Sequence, residues 1–163
     1  MELKMKIKMK QAFPILLSLL VLAAAFGCAA KKAIQIDVDA LAAKLATSIK
    51  FGDQPTKIDE KAALKLYNIQ STSIKKQSVY VSSGATAEEI SVWESNDANA
   101  AKDVKAAVLA RIEAQKAGFR DYVPTEMVKL KSPVLICEGN YVILCVSNDN
   151  TKAKQVIDSY LKQ

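Results

Sequence analysis

Histidine is absent from all 163 residues of the sequence. Without an imidazole group, the chain contains no Ser-His-Asp triad, no Cys-His dyad and no metal site with histidine ligands. Glycine is scarce as well: there are five, and no pair of them has the spacing of a phosphate-binding loop. From these absences we expect no metal site and no cofactor.

Only three cysteines occur, at Cys28, Cys137 and Cys145. The last two lie in apolar segments on either side of Gly139-Asn140, a pair typical of a two-residue hairpin turn. That turn places Cys137 opposite Val142, so that Cys145 faces the other side of the sheet. A three-residue turn brings both to one face, but four residues of offset is ~13 Å of strand, beyond the ~7 Å limit between the Cα atoms of a disulfide. We predict no disulfide and two buried free thiols.

Positive charge is in excess, with a formal net charge of +6, but half of it lies in the first ten residues. Four lysines and one glutamate give these ten residues +3, which leaves +3 for the rest of the chain. This remainder is spread over the predicted helices and forms no basic stripe with interleaved aromatic residues, as nucleic-acid-binding surfaces do. We predict no nucleic-acid partner.

A charge-free run of 19 residues, "AFPILLSLLVLAAAFGCAA" at positions 12–30, follows the lysine-rich start. The order of basic, leucine-rich and small residues is that of an export signal. The segment resembles a bacterial lipoprotein signal in which Ala25 to Cys28 is the lipobox, although Ala25 and Phe26 depart from its commonest pattern. This resemblance implies a signal peptide at 1–27 and thioether linkage of the Cys28 thiol to diacylglycerol.

Two alternatives to the lipid anchor stay open. A span of about 20 apolar residues also suits an uncleaved membrane anchor, and Ala23 to Ala25 also suit ordinary signal cleavage. All three alternatives place the rest of the chain outside the cytoplasmic membrane, because the lysine cluster stays inside. We predict a lipid-anchored protein on the extracytoplasmic face of the cell membrane, with a short tether at 28–36 and one domain at 37–163.

Two helices are predicted at the start of this domain. From Asp37 to Phe51 apolar residues recur at helical spacing, and Gly52 follows as a stop. A polar break at 53–58 separates this helix from a shorter one that begins at Asp59.

A first hairpin is predicted next, from the alternating segments "QSVYVSS" (77–83) and "EEISVWES" (88–95). If Ser82 lies opposite Glu89, one face collects the four aliphatic residues Val79, Val81, Ile90 and Val92. Tyr80 and Trp93 then share the opposite face. A long helix follows up to Phe119, with residues 101, 104, 108, 112, 115 and 119 inward.

A second hairpin, "VLICEGNYVILCVS", is apolar on both faces, so we expect its strands to be central and covered twice. A closing helix follows it. The predicted fold is therefore α+β, with two N-terminal helices and a four-stranded, mostly antiparallel sheet made of two hairpins, each followed by a helix.

Glu88 and Glu89 are the candidates for acid–base chemistry, since they are adjacent acids at the entrance of a strand. Neighbouring strand residues point to opposite faces, so the two cannot share one proton unless the chain is still turning there. The structural alternative is a solvated strand entrance or a cap of the preceding turn. Trp93 and Tyr80 are interpreted as core residues or, with the two glutamates, as a recognition surface.

Several segments occur together in a recognisable order: the lipobox, "SSGATAEEISVWESNDA", Arg111, Gln115, "YVPTE" and "GNYVILCVSND". In this order the chain resembles a family of small bacterial lipoproteins known only as a domain of unknown function, number four-three-five-eight. The resemblance covers about residues 37 to 162. It implies a cell-surface lipoprotein, and it brings no activity, ligand or catalytic residue with it.

We interpret the chain as a non-enzymatic, membrane-tethered module that binds an envelope protein or ligand. The alternatives are a small envelope hydrolase that uses carboxylates such as Glu88, Glu89 or Glu94, and a single-domain solute-capture lipoprotein. The partners predicted here are the membrane, through lipid on Cys28, and an unknown envelope component.

Overall fold

The structure, a computed structural model, describes residues 34–162. These residues form an α+β fold, with five helices and one antiparallel five-stranded sheet of order β1-β2-β3-β5-β4. The helices are α1 (Val38–Ser48), α2 (Glu60–Tyr67), α3 (Ala98–Phe119), α4 (Met127–Lys131) and α5 (Asn150–Leu161). The strands are β1 (Thr56–Ile58), β2 (Ile74–Val81), β3 (Glu89–Ser95), β4 (Val134–Glu138) and β5 (Tyr141–Val146). Cys28 and the predicted signal peptide at 1–27 lie outside the described residues.

Aspartates begin the four longer helices. Asp37, Asp59, Asp97 and Asp149 each accept hydrogen bonds from backbone N–H groups of the first turn. Those N–H groups have no partner within the helix, so the caps supply the missing acceptors. None of these helices, within residues 34–162, has the length and apolar character needed to cross a membrane.

The sheet is covered by helices on both faces, which gives the domain two cores. One core combines α1 and α5 with side chains such as Ile90, Val92 and Ile143. The other combines α2 and α3 with side chains such as Val79, Trp93 and Leu144. The strand β5 is buried along its whole length, because both cores use its side chains.

The α+β class and the antiparallel sheet are confirmed, whereas the number of strands was wrong. The additional strand, β1, lies between the first two helices, in the segment predicted as a polar break, and Lys57 pairs with Tyr80 of β2. Two of its three side chains are exposed. A strand this short shows no alternation, and its pairing depends on β2, which lies elsewhere in the sequence.

The register of the first hairpin also differs from the prediction. Val81, and not Ser82, lies opposite Glu89, and Tyr80 therefore lies opposite Ile90. The connection between the strands spans residues 82–88, one residue more than expected. Since side chains alternate with a period of two, this single residue moves each side chain of β2 to the other face relative to β3.

The shift separates residues that were expected to share a face. Ile90 and Val92 belong to the core with α1, whereas Val79 belongs to the core with α3. Trp93 is fully buried beside Val79, and Tyr80 packs partly buried on the other face. The two aromatic residues therefore do not lie together.

The second hairpin has the predicted register, with Cys137 opposite Val142. Gly139 has φ +59°, at the position where a type II′ turn requires positive φ.

Both thiols are free, and Cys145 is buried whereas Cys137 is only partly so. Burial raises the pKa of Cys145 to about 12, so this thiol stays protonated. The position of β4 corrects the expectation of two central strands, because β4 is an edge strand.

The domain begins before residue 37, where the sequence analysis placed its start. Ile36, assigned by sequence to the tether, is buried in the core with α1, and its N–H group donates to the Tyr141 hydroxyl at 3.2 Å. Ile34 also packs against this core. The domain therefore includes residues 34–36.

Candidate functional site

Glu89, the first residue of β3, is 1 % exposed and lies within a network of donors. Arg111 of α3 donates from Nη2 at 2.7 Å and from Nε at 3.2 Å, one bond to each carboxylate oxygen. Gln115 donates from Nε2 at 2.9 Å, and the Tyr67 hydroxyl donates a short hydrogen bond. Arg111 and Gln115 are one helical turn apart, which is why both reach the same carboxylate.

Tyr67 joins this network to the core. Its ring meets that of Trp93 edge to face, with 5.0 Å between the centroids. Burial, and after it the charge of Glu89, raises the pKa of Tyr67 well above its ordinary value, so the hydroxyl keeps its proton and acts as a donor. Burial alone would lower the pKa of Arg111, but the hydrogen bonds and charge of Glu89 raise it instead.

Glu88 is also 1 % exposed, and it has different partners. The backbone N–H groups of Gly52 and Asp53 donate to its carboxylate at 3.0 and 2.8 Å, and Lys129 Nζ lies 3.1 Å away. Burial favours a raised pKa for Glu88, but these N–H groups and the Lys129 ammonium outweigh it and hold the pKa below its ordinary value. The carboxylate is therefore ionised inside the protein.

Lys129 of α4 bridges Glu88 to a third acid, Glu126. The ammonium lies 3.0 and 2.8 Å from the two Glu126 oxygens, and one of these oxygens also accepts from the Ala87 N–H group at 2.8 Å. Burial opposes the charge of Lys129, yet the two carboxylates raise its pKa. Two acids and one base leave a formal charge of −1, which the backbone N–H donors of residues 52, 53 and 87 offset.

Three connecting segments meet at these charges: residues 52–53, 82–88 and 120–126, which we call the loop cluster. Asp53 adds a further tie, because its carboxylate accepts from the Ser83 N–H group at 2.8 Å and from the Ser83 hydroxyl at 2.5 Å. Its pKa is lowered by these bonds. The loops at this end of the sheet are therefore held by side chains and not only by the strands they follow.

The two glutamates behave partly as predicted. They bind separate cations, which confirms that they do not share one proton. The solvated strand entrance was wrong, because both are buried, although Glu88 does cap the backbone of residues 52–53. The recognition surface of Glu88, Glu89, Trp93 and Tyr80 is corrected in the same way: three of the four are buried, and Tyr80 is on the other face from Trp93.

Several members of the site were missed by sequence reasoning. The roles of Tyr67, Lys129, Glu126 and Asp53 were not foreseen. Glu126 and Lys129 stand three residues apart, a spacing typical of helical ion pairs, and this was the available signal. Their contacts with residues 87 and 88 depend on the fold and leave no local pattern.

A cleft, separate from the loop cluster, lies between the end of α2 and the first half of α3. This cleft of about 220 Å³ is lined by Ile69, Val104 and Ala107 and by the polar side chains Asn68, Gln70, Ser73 and Asp103. Glu94 is at neither site: it is partly exposed, 3.7 Å from Lys75 and 3.3 Å from the Asn140 amide. Within residues 34–162 no three histidine, cysteine or acidic side chains are grouped to hold a metal ion.

A comparison with models of protein families gave a match. The model of a family described as a domain of unknown function, DUF4358, matches residues 47–147, more than half of the chain. This confirms the family suggested by the sequence motifs. No curated protein and no solved structure matched.

Glu89→Gln is expected to destabilise the domain by about 3–5 kcal/mol, because it leaves the guanidinium of Arg111 without its buried counter-charge. Chemical unfolding followed by far-ultraviolet circular dichroism measures the loss. Glu113→Gln is the matched control on the same helix, since Glu113 is exposed and its pair with Lys116 is a surface pair expected to contribute less than about 1 kcal/mol. Equal losses for the two variants would contradict the role assigned to Glu89.

Acid should weaken the contribution of Glu88. Its folded pKa is below its ordinary value of 4.5, so the ionised form is favoured by folding. This contribution is fully present above 4.5 and is lost as the pH falls through the folded pKa. We expect the difference in unfolding free energy between wild type and Glu88→Gln to shrink as the pH is lowered from neutral into that range. A difference that stays constant with pH would argue against an ionised, hydrogen-bonded Glu88.

Proposed function

The chain belongs to the family of domains of unknown function DUF4358, and since that description carries no activity, we propose a function from the geometry. The protein is a membrane-tethered, extracytoplasmic binding module, not an enzyme. It contacts another protein of the cell envelope through its loop cluster, which includes the segment that joins α3 to α4, and through α4 itself.

The observation that carries the proposal is an exposed apolar pair on a rigidly held segment. Tyr122 is 89 % exposed and Val128 is 71 % exposed. Between them, Glu126 is fixed to Ala87 and Lys129. Aromatic and aliphatic side chains that stay in water on a preorganised loop are typical of protein-binding sites. Arg120 and Asp121 are exposed beside them, so a complementary partner presents an apolar patch with charges of both signs at its rim.

The position of the loop cluster suits a tethered protein. The described chain enters near Tyr141, which pairs with Glu94 towards the end of β3. Glu88 and Glu89 are at the start of β3, so the loop cluster is at the other end of the sheet. The segment through which the proposed anchor would hold the domain is therefore distinct from the loop cluster that would bind a partner.

The state of the carboxylates favours binding over hydrolysis. A general acid or base must reach its substrate within hydrogen-bond distance. Glu88 and Glu89 are each buried and already engaged by a cation and by further donors. Neither has an open oxygen at the surface of the described residues.

A second candidate function is capture of a small solute, which the cleft beside Asn68 favours. Its lining combines three apolar residues with one carboxylate, two amides and one hydroxyl. These groups suit a small ligand with an amine or several hydroxyl groups and a short apolar part.

Lipid attachment is tested by labelling producing cells with an alkyne analogue of palmitate. The wild-type chain is expected to incorporate label, because Cys28 follows an export signal and a small residue, whereas Cys28→Ala is expected to lose it. An unlabelled wild type in cells whose other lipoproteins are labelled would refute the anchor.

The binding surface is tested by a photo-crosslinking amino acid placed at Tyr122 in living cells. We expect one adduct of defined mass, which Val128→Asp removes, because the two exposed side chains contact the same partner. The same photo-crosslinker at Lys154, exposed on α5, is the matched control. Identical adducts from both positions, or an adduct unaffected by Val128→Asp, would count against this surface.

A further inference from the structure

The strand β4 ends the sheet on one side, and no described strand lies beyond it. Its five residues read VLICE and carry no charge before Glu138 at the end. An open edge offers its N–H and C=O groups to other chains, and proteins usually prevent this with short strands or with charges inside the edge strand.

The opposite edge of the same sheet has that protection. The strand β1 is three residues long, and its central residue, Lys57, is exposed and bound to Asp39 at 2.7 Å. The two edges therefore differ: one is short and charged, whereas the other is longer and apolar in its interior.

The hydrogen bonds show which groups of β4 point outward. The Asn140 carbonyl accepts from the Ser95 N–H group at 2.8 Å, so the backbone of residue 140 faces β3. Backbone groups alternate in direction along an antiparallel strand, so residues 141, 143 and 145 face β4. Their partners at 138, 136 and 134 face β5 in return. The N–H and C=O groups of Leu135 and Cys137 are the ones that point away from the sheet.

We propose that two copies of this chain associate through β4, paired antiparallel about a two-fold axis at Ile136. In this register Leu135 of one copy lies opposite Cys137 of the other, which joins the residues whose backbone groups point outward. Ile136 lies opposite Ile136 of the second copy, and Val134 lies opposite Glu138. This is the one antiparallel register that pairs all five residues, and a two-fold axis makes both halves of the contact identical.

The side chains of β4 fit a second copy of the same strand. Ile136 is only partly buried in its own core, and a non-hydrogen-bonded pair brings the two Cα atoms to ~4.5 Å, where each isoleucine covers the other. The charged ends do not meet, because the two Glu138 side chains are four residues out of step, ~14 Å apart along the strands. The contact is therefore apolar at its centre and charged at its rim.

The contact is small, which limits its strength. One strand pair of this length supplies about four backbone hydrogen bonds and less than the ~1,200 Å² that stable interfaces bury. The dimer is weak in dilute solution, and confinement on a membrane raises its population through effective concentration. Only this increase on the membrane rests on the proposed lipid anchor, and the pairing of the two strands does not.

Disulfide trapping in membranes of cells that produce the full chain tests the register. In a Cys137→Ala parent, Ile136→Cys places two thiols on Cα atoms ~4.5 Å apart, within the range of a disulfide. Glu138→Cys is the matched control on the same strand, since its thiols are ~14 Å apart. Mild oxidation is expected to give a dimer from Ile136→Cys about tenfold stronger than from Glu138→Cys. The Cys137→Ala parent, oxidised in the same way, shows how much dimer arises from Cys28 and Cys145.

Three outcomes would overturn the proposal. The first is an equal amount of dimer from both variants, and the second is no dimer from Ile136→Cys although its thiol reacts with maleimide. The third is an Ile136→Cys thiol that neither reacts with maleimide nor forms a dimer, which means that something other than a second copy covers β4. A second measurement does not depend on substitution at Ile136. Sedimentation of the wild-type chain in detergent is expected to show a concentration-dependent dimer, which Cys137→Lys removes by placing a charge opposite Leu135 of the second copy. A wild type that stays monomeric on the membrane and in concentrated detergent solution alike contradicts the pairing.

Discussion

Two adjacent carboxylates can be buried at the start of one strand only if each has its own counter-charge, and Glu88 and Glu89 impose this constraint on the whole domain. Glu89 requires Arg111 and Gln115 from α3 and the hydroxyl of Tyr67 from α2. Glu88 requires the backbone after α1 and the ammonium of Lys129 from α4. Four helices are thus oriented towards one dipeptide of the sheet, from both of its faces.

Such buried pairs contribute specificity more than net stability. Removing two charges from water costs free energy that their attraction only partly returns, and apolar residues of similar size often serve equally well in stability. A shift of β3 by one residue against α3, however, would present Ile90 or Glu88 to Arg111 and would leave charges buried without partners. The ion pairs therefore penalise wrong registers, which a purely apolar interface between β3 and α3 would tolerate more easily.

Local patterns predicted much of this fold because its helices and the second hairpin are encoded locally. The residues on α3 expected to face inward are buried, apart from the partly buried Phe119. The Gly139-Asn140 turn fixed the register of its strands, since a two-residue turn permits only one. The first hairpin has a longer connection, in which the number of residues does not determine the pairing, and its register was missed by one.

The candidate site was less predictable because its partners are distant in sequence. Glu88 contacts Gly52 and Asp53, which lie 36 and 35 positions earlier in the chain. It also contacts Lys129, which lies later. Adjacent acids before an apolar strand are usually solvated, and nothing in the dipeptide itself shows that two cations will reach it. Periodicity identified Gln115 as inward-facing, but a polar inward residue on an amphipathic helix does not reveal what it binds.

Trp93 is the single tryptophan of the chain, and it is fully buried beneath Tyr67 in one of the two cores. Indole fluorescence therefore originates from one position only, between β3 and α3. The other core, with Tyr80, Tyr141 and Tyr160, contains only tyrosine emitters. Tryptophan emission therefore reports on the packing of α2 and α3 against the sheet with no label added, whereas tyrosine emission combines both faces, because Tyr67 lies against Trp93.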